Sequence, residues 1–342
     1  MCIRPLSVRY YLCYNLIKEI TRENIIMKLL TIDYGGTFVK YGLLDTENGE
    51  LSGKGKVPAP LESPEAFAET AGRIYEQFRG TAEGVAISMP GIIDSETGLA
   101  RTAGAYTKMP GQNVYELLTP YIDVYVCIEN DGKAAIQAEV WKGALQDVKN
   151  ECACIIGSGL GGGVVMDGKL RKGGHFASGE ISGLLMNPGD YSFGNYAASA
   201  AGMSAFLMQV AYAKGMNPAD FEISNYMARG ESSGEKKISG KEVFDWIEAG
   251  DEVVMNVYRS WIEKLVLVLY NMKMVLDPEK IVVGGGVSAN PRFIRDLKEE
   301  YAKSVAGLLK MGFPDAPLDV CHFSSDANLI GAAYTWLQKY GK

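Results

Sequence analysis

The 342-residue sequence predicts an α/β protein of two duplicated halves, each a mixed sheet covered by helices, with a central cleft between them. Three observations carry the prediction. A strand, a glycine turn and a second strand occur at LLTIDYGGTFVKYGLLD, residues 29–45, and again at ECACIIGSGLGGGVVM, residues 151–166. Helical and strand-like segments alternate after each pair. The chain is also long enough for two domains that each bury a core.

The elements follow in order. Leu29, Leu30 and Ile32 precede the turn Asp33-Tyr34-Gly35-Gly36-Thr37, and Phe38, Val39, Tyr41, Leu43 and Leu44 follow it, which reads as a tight hairpin. Gly35 and Gly36 are expected to take positive φ and leave backbone amides open to an approaching group. A third strand is expected near residues 51–57. Ser63-Pro64-Glu65 opens a helix, because serine can cap it and proline suits its first position. Strands follow at 84–88 and 124–128, the latter running through Glu129-Asn130-Asp131-Gly132 into a helix over 133–141.

The second half repeats the pattern. A strand at 151–156 leads to the turn at 157–163 and a strand at 164–166. A long helix over 253–276 comes next, then a strand at 280–283, a glycine turn, a helix from Pro291, a strand near 318–321 and a last helix from Asp326. The apolar stretch WIEKLVLVLYNMKMVL within the long helix reads as core. The expected division is an N-terminal lobe at 27–131 plus 326–342 and a C-terminal lobe at 132–325. Residues 1–26 differ from the rest, and Met27-Lys28 leads straight into the first strand. They are expected to be upstream sequence or a disordered extension.

Composition excludes several classes. Hydrophobic residues make up 47% and charged residues 22%, as in globular rather than disordered chains. A formal charge of -7 argues against a nucleic-acid surface, which needs clustered lysine and arginine. No stretch reaches transmembrane length, so no membrane partner and a cytoplasmic location are expected. Six irregularly spaced cysteines read as free thiols, with Cys152 and Cys154 on one face of a buried strand. His175 and His322 are the only histidines, too few for a multi-histidine metal centre.

The run Gly157-Ser158-Gly159-Leu160-Gly161-Gly162 formally fits G-x-G-x-x-G. That fingerprint requires a helix after the last glycine, and the continuation GVVMDGKL is strand-like instead. What remains is two glycine hairpins at equivalent places, able to grip phosphates with backbone N–H groups. On position alone Asp131 reads as a helix N-cap, Glu180 as a loop acid, and Gly284-Gly285-Gly286 as a strand-to-helix connection.

Six segments in order then carry a specific resemblance: DYGGTFVKYGL (33–43), VAISMPGIID (85–94), IENDGKAA (128–135), IIGSGLGGGVV (155–165), GGHFASGEISG (173–183) and IVVGGGVSANPRF (281–293). Together they resemble the ROK family of bacterial sugar kinases and repressors, within the sugar kinase, Hsp70 and actin superfamily. The resemblance runs from about Met27 to the end. It implies two ribonuclease H-like domains of actin/hexokinase type and ATP-dependent transfer of the γ-phosphate to the 6-hydroxyl of a hexose or hexoside.

The resemblance also implies roles. Asp131 matches the catalytic base. Asp33 matches the residue that holds Mg²⁺ through water, and Gly35, Gly36, Thr37, Lys40, Gly157, Ser158, Gly159 and Gly161 match the nucleotide-phosphate set. Gly284, Gly285 and Gly286 match the adenosine-side turn. Gly91, Asn130, Asp131 and Glu180 match sugar ligands, and Asn195 stands near a second sugar-binding position. ATP and Mg²⁺ are the implied cofactors, a small-molecule sugar the partner, and a homodimer the implied assembly.

Departures are informative. Zinc-containing members read G-E-I-G-H followed by a cysteine-rich segment, whereas this chain has Gly179-Glu180-Ile181-Ser182-Gly183 and then LLMNPGDYSFGNYAASAAGM, without cysteine. Structural zinc is therefore expected absent, and the missing histidine leaves space beside the sugar. The substrate is expected to be glucose or a β-glucoside such as cellobiose. Alternatives are another ROK kinase acting on N-acetylmannosamine or fructose, a non-enzymatic ROK regulator, or a chaperone-like or filament ATPase. The regulator would need a DNA-binding module, for which the 32 residues before Asp33 are too few.

Overall fold

The computed structural model describes residues 27–216 and 238–341; the extension expected at 1–26 lies outside the described residues. The first half holds β1 (Lys28–Tyr34), β2 (Phe38–Asp45), β3 (Leu51–Pro58), α1 (Pro64–Glu76), β4 (Gly84–Met89), α2 (Val114–Leu118), β5 (Tyr125–Asn130) and α3 (Asp131–Lys142). The second holds β6 (Glu151–Ile156), β7 (Leu160–Met166), β8 (Lys169–Leu170), α4 (Ala197–Ala201), α5 (Met203–Ala213), α6 (Gly240–Glu248), α7 (Glu252–Leu276), β9 (Lys280–Gly284), α8 (Pro291–Lys310), β10 (Leu318–Val320) and α9 (Ala327–Tyr340).

The duplication is visible in the sheets. One has the order β3-β2-β1-β4-β5 and the other, read from its opposite edge, β8-β7-β6-β9-β10. In each, the first hairpin is antiparallel and the two later strands join parallel to its first strand. On this topology we propose the lobe division stated above.

Alternation along β1 decides what faces the cleft. Leu30 and Ile32 pack with Phe67, Ala71 and Ile74 of α1, while Leu29 packs with Ile330, Ala333 and Trp336 of α9. Asp33 shares the parity of Leu29, which puts it on the α9 face. In the second lobe Cys152 and Cys154 share one buried face with Trp261 and Leu265 of α7, while Ala153 packs with Ile136 of α3. Helix α7 is therefore a core helix, as its sequence suggests.

Helices α3 and α9 cross between the two sheets at very short range. A Cβ on Gly331 would lie 1.6 Å from the Ala134 carbonyl oxygen, so only glycine fits. Glu139 of α3, fully buried, accepts from the amides of Ala144, His322 and Phe323 and ties the crossing to the segment entering α9.

Glu151, at the start of β6, is 1% exposed, and neither carboxylate oxygen has a hydrogen-bond partner among the described residues. Burial, and then the Glu279 charge, push its carboxyl up to about 7 from 4.5. A raised folded-state pKa contributes stability below the ordinary value that is lost as pH rises through the folded one. Glu151→Gln is accordingly expected to match the parent near pH 4.5 and to be more stable by about 1 to 3 kcal/mol near pH 8. Denaturant unfolding at both pH values checks this; equal stability near pH 8 would contradict it.

Candidate functional site

The first wall is the β1–β2 turn. Gly35 N–H donates to the Phe38 carbonyl at 3.1 Å, Tyr106 Oη donates to the Gly35 carbonyl at 2.8 Å, and Ala59 N–H donates to the Thr37 carbonyl at 3.0 Å. These bonds fix the turn while the amides of Gly36 and Thr37 keep no partner among the described residues. The expected positive φ is absent at Gly35 and Gly36. Crowding explains one glycine instead, since a Cβ on Gly35 would lie 2.9 Å from the Phe38 carbonyl oxygen.

Asp33 is the penultimate residue of β1 and is 6% exposed. Its Oδ1 accepts from Asn328 Nδ2 at 3.0 Å and Ser88 Oγ at 3.1 Å. Burial raises its carboxyl pKa; Asn328, the charge of Lys40 and Ser88 pull the other way. Lys40 is its cross-strand partner and donates to the Ser325 carbonyl at 3.4 Å.

The opposite wall begins where β5 meets α3. Asn130, not Asp131, is the N-cap: its Oδ1 accepts from Lys133 N–H at 3.0 Å. Asn130 Nδ2 donates to the Gly91 carbonyl at 2.9 Å and to Asp131 Oδ1 at 3.0 Å. Gly91 has φ 103°, and a Cβ there would lie 2.2 Å from the Thr102 carbonyl oxygen, so glycine is required for the loop that holds Asn130. Asp131 Oδ1 also accepts from Gly132 N–H at 2.8 Å. Burial first, then the negative charges of Asp33 and Glu180, push its carboxyl up to about 7 against the Gly132 amide and Lys133. The charges of Asp33 and Glu180 therefore both bear on Asp131.

Glu180 stands on the loop after β8, where Lys133 Nζ donates to its Oε1 at 3.0 Å. The loop, β7 and α3 approach almost backbone to backbone. A Cβ on Gly132 would lie 2.8 Å from Gly162 N and O, and one on Gly162 would lie 2.5 Å from the Gly179 carbonyl oxygen.

The second turn departs from its expected extent. Gly161 is a strand residue paired with Ile155, and Leu160 to Met166 form one continuous strand. Gly162 and Gly163 thus serve the close packing of α3 against β7, and the open turn is Gly157-Ser158-Gly159 alone. Its Gly157 and Ser158 carbonyls accept from the Met203 and Ser204 amides at 3.0 Å each.

Gly157, Ser158 and Gly286 line one cavity of about 820 Å³ with Phe244, Lys241 and Asp245 of α6. Gly284 and Gly285 serve its frame: a Cβ on Gly284 would lie 2.8 Å from Cys321 Sγ, and Gly285, at φ 94°, lies against the Ile156 carbonyl. Asn195 is engaged elsewhere. Its Oδ1 accepts from Asn187 N–H at 3.0 Å and Nδ2 at 2.8 Å, and its Nδ2 donates to the carbonyls of Asn187 at 2.8 Å and Asp190 at 2.6 Å. That side chain is a staple of its own loop, which leaves no hydrogen-bonding capacity for the expected sugar contact.

Sequence reasoning did not single out Ser88, Asn328, Lys133 or α6. For α6 a signal existed, the Ser239-to-Glu242 capping box that the structure forms. The residues also fit Mg²⁺. Asp33 is a hard oxygen donor at the end of the first sheet, and Mg²⁺ is commonly held by one or two carboxylates with phosphate oxygens completing its shell. Among the described residues no group of three or more His, Cys, Asp or Glu could hold a metal unaided.

The fold, two mixed sheets about a cleft, is of the actin/hexokinase type. Similar proteins share it along their whole length. The beta-glucoside kinase of Listeria monocytogenes is 28% identical over 323 residues, covering 92% of this chain and 98% of that protein. The N-acetylmannosamine kinase of Escherichia fergusonii is 27% identical, covering 90% and 97%. The crystal structure of a ROK hexokinase from Thermus thermophilus superposes with a TM-score of 0.74 at 25% identity, covering 92% of this chain and all of that one. The ROK family profile matches residues 29–339, and the chain belongs to the ROK family.

Proposed function

We propose that the chain is a sugar kinase that uses ATP and Mg²⁺ to phosphorylate the 6-hydroxyl of glucose or a β-glucoside. The observation that carries this reading is the buried Asp131 carboxyl, on which the charges of Asp33 and Glu180 both bear, in a chain whose two sheets each carry a glycine turn with open amides. Phosphoryl transfer needs a positioned hydroxyl, an acceptor for its proton and donors for the phosphates. Asp131 accepts the proton as the sugar O6–phosphorus bond forms and the bond from the γ-phosphorus to the β,γ-bridging oxygen breaks, releasing ADP. Asn130 holds the Asp131 carboxylate and Glu180 accepts from a sugar hydroxyl. The amides of Gly36 and Thr37 face the phosphates from one lobe and those of Ser158 and Gly159 from the other. Asp33 would hold Mg²⁺, which when bound would neutralise phosphate charge.

The glucoside preference is supported by Gly183, where an added Cβ would meet no heavy atom within 4 Å. The beta-glucoside kinase among the relatives supports the same substrate class. A sugar panel with ATP and Mg²⁺, read as ADP release, tests the reading. kcat/KM for cellobiose is expected to exceed that for glucose by at least about tenfold. A preference for glucose would remove the glucoside assignment, and a preference for N-acetylmannosamine would move the chain to the other named activity.

A further inference from the structure

Lys133 is a buried cation that the reaction described above does not use. It lies two residues after Asp131 on α3 and its side chain is 1% exposed. An isolated ammonium at that depth is strongly disfavoured, so its partner must be fixed in place. The partner is Glu180, on the loop after β8, at 3.0 Å from Lys133 Nζ to Oε1. Glu180 remains partly exposed, and its second oxygen is left for a ligand.

The segment carrying Glu180 is tied at its other end as well. Lys172 Nζ lies 3.3 Å from Glu129 Oε2 and donates to Ser95 Oγ at 2.6 Å. Glu129 and Lys133 flank Asn130-Asp131. Two ion pairs of opposite sense therefore strap residues 172–180 to the strand end and helix start that present Asp131. The contact of Gly132, Gly162 and Gly179 makes this approach possible.

The geometry points to Lys133 as a positioning residue: its ammonium pins Oε1 of Glu180 so that Oε2 meets a sugar hydroxyl in register with Asp131. This rests on the sugar-kinase reading. A charge-assisted hydrogen bond holds geometry more firmly than a neutral one, and loss of either partner frees the other. The pair acts on sugar binding, and Lys133 does not line the cavity of Gly157, Ser158 and Gly286.

The test is a kinetic cycle on the full chain with Lys133→Gln, Glu180→Gln and the double variant, using cellobiose and ATP with Mg²⁺. Lys133→Gln is expected to raise the sugar KM by ~10- to 100-fold and to leave the ATP KM within about threefold. In the Glu180→Gln background the same change is expected to alter the sugar KM by less than about twofold. Thermal melts accompany each variant, and Lys133→Met, which fills the space without charge, replaces the glutamine variant should that one fail to fold. A folded Lys133 variant with the parent sugar KM, or effects that simply multiply across the cycle, would overturn the assignment while sugar-dependent ADP release by the parent keeps the kinase reading. Absence of sugar-dependent ADP release from the parent on every sugar would remove the kinase reading and this assignment together.

Discussion

Replacing Asp131 by Asn is expected to lower kcat by ~10²- to 10⁴-fold, or about 3 to 5 kcal/mol of transition-state stabilisation. The amide can still accept from Gly132 N–H, so the helix start survives while the proton acceptor is lost. The parent chain should also show an acid limb in kcat/KM, rising as pH passes through about 7, because the carboxylate must be deprotonated to act. That limb should vanish in the variant. The same carboxyl makes a stability prediction of opposite direction. Its folded-state pKa is raised above 3.8, so the stability it contributes at low pH is lost as pH rises through about 7. Asp131→Asn should therefore be more stable than the parent near pH 8 and no different near pH 3.8. A variant less active yet more stable separates a chemical role from a structural one; near-parent turnover would refute the role.

Gly331→Ala is expected to be the most damaging single methyl among the described glycines. The new carbon would sit 1.6 Å from the Ala134 carbonyl oxygen, and ordinary contact requires about twice that separation. Both partners are helix backbone, so neither can turn aside as a side chain would. Helices α3 and α9 must part, at a cost of about 1 to 3 kcal/mol or more. Parting them also moves Asp131, at the start of α3, relative to Asp33, which Asn328 of α9 holds. A misplacement of about 1 Å at such a site can cost ~100-fold in turnover. Denaturant unfolding and kcat on the surviving folded fraction read the two effects; parent-like values of both would show that the crossing does not set the site.

Much of this was legible from local pattern. The hairpins, the strand into Asn130-Asp131 and the cap at Ser63 all depend on residues close in sequence, and the structure forms them. The reasons for the glycines were less legible. Gly35 and Gly161 suggested special backbone angles or phosphate contact, whereas the structure uses Gly35 to clear a carbonyl and Gly161 as a strand residue near Gly132. Such crowding comes from another segment and has no local signature. Asn328 was invisible for the same reason: it meets Asp33 from 295 residues away because the last helix returns to the first sheet. Asn195 shows the reverse error, a polar residue in the right order whose bonds are consumed by its own loop.

The central claim is that the two turns hold a triphosphate whose terminal group faces Asp131. A crystal structure with a non-hydrolysable ATP analogue, Mg²⁺ and cellobiose measures it most directly. The account predicts β- and γ-phosphate oxygens on the amides of Gly36, Thr37, Ser158 and Gly159, with a sugar 6-hydroxyl about 3 Å from the Asp131 carboxylate. Phosphates bound away from both turns, or a sugar whose 6-hydroxyl points away from Asp131, would contradict it.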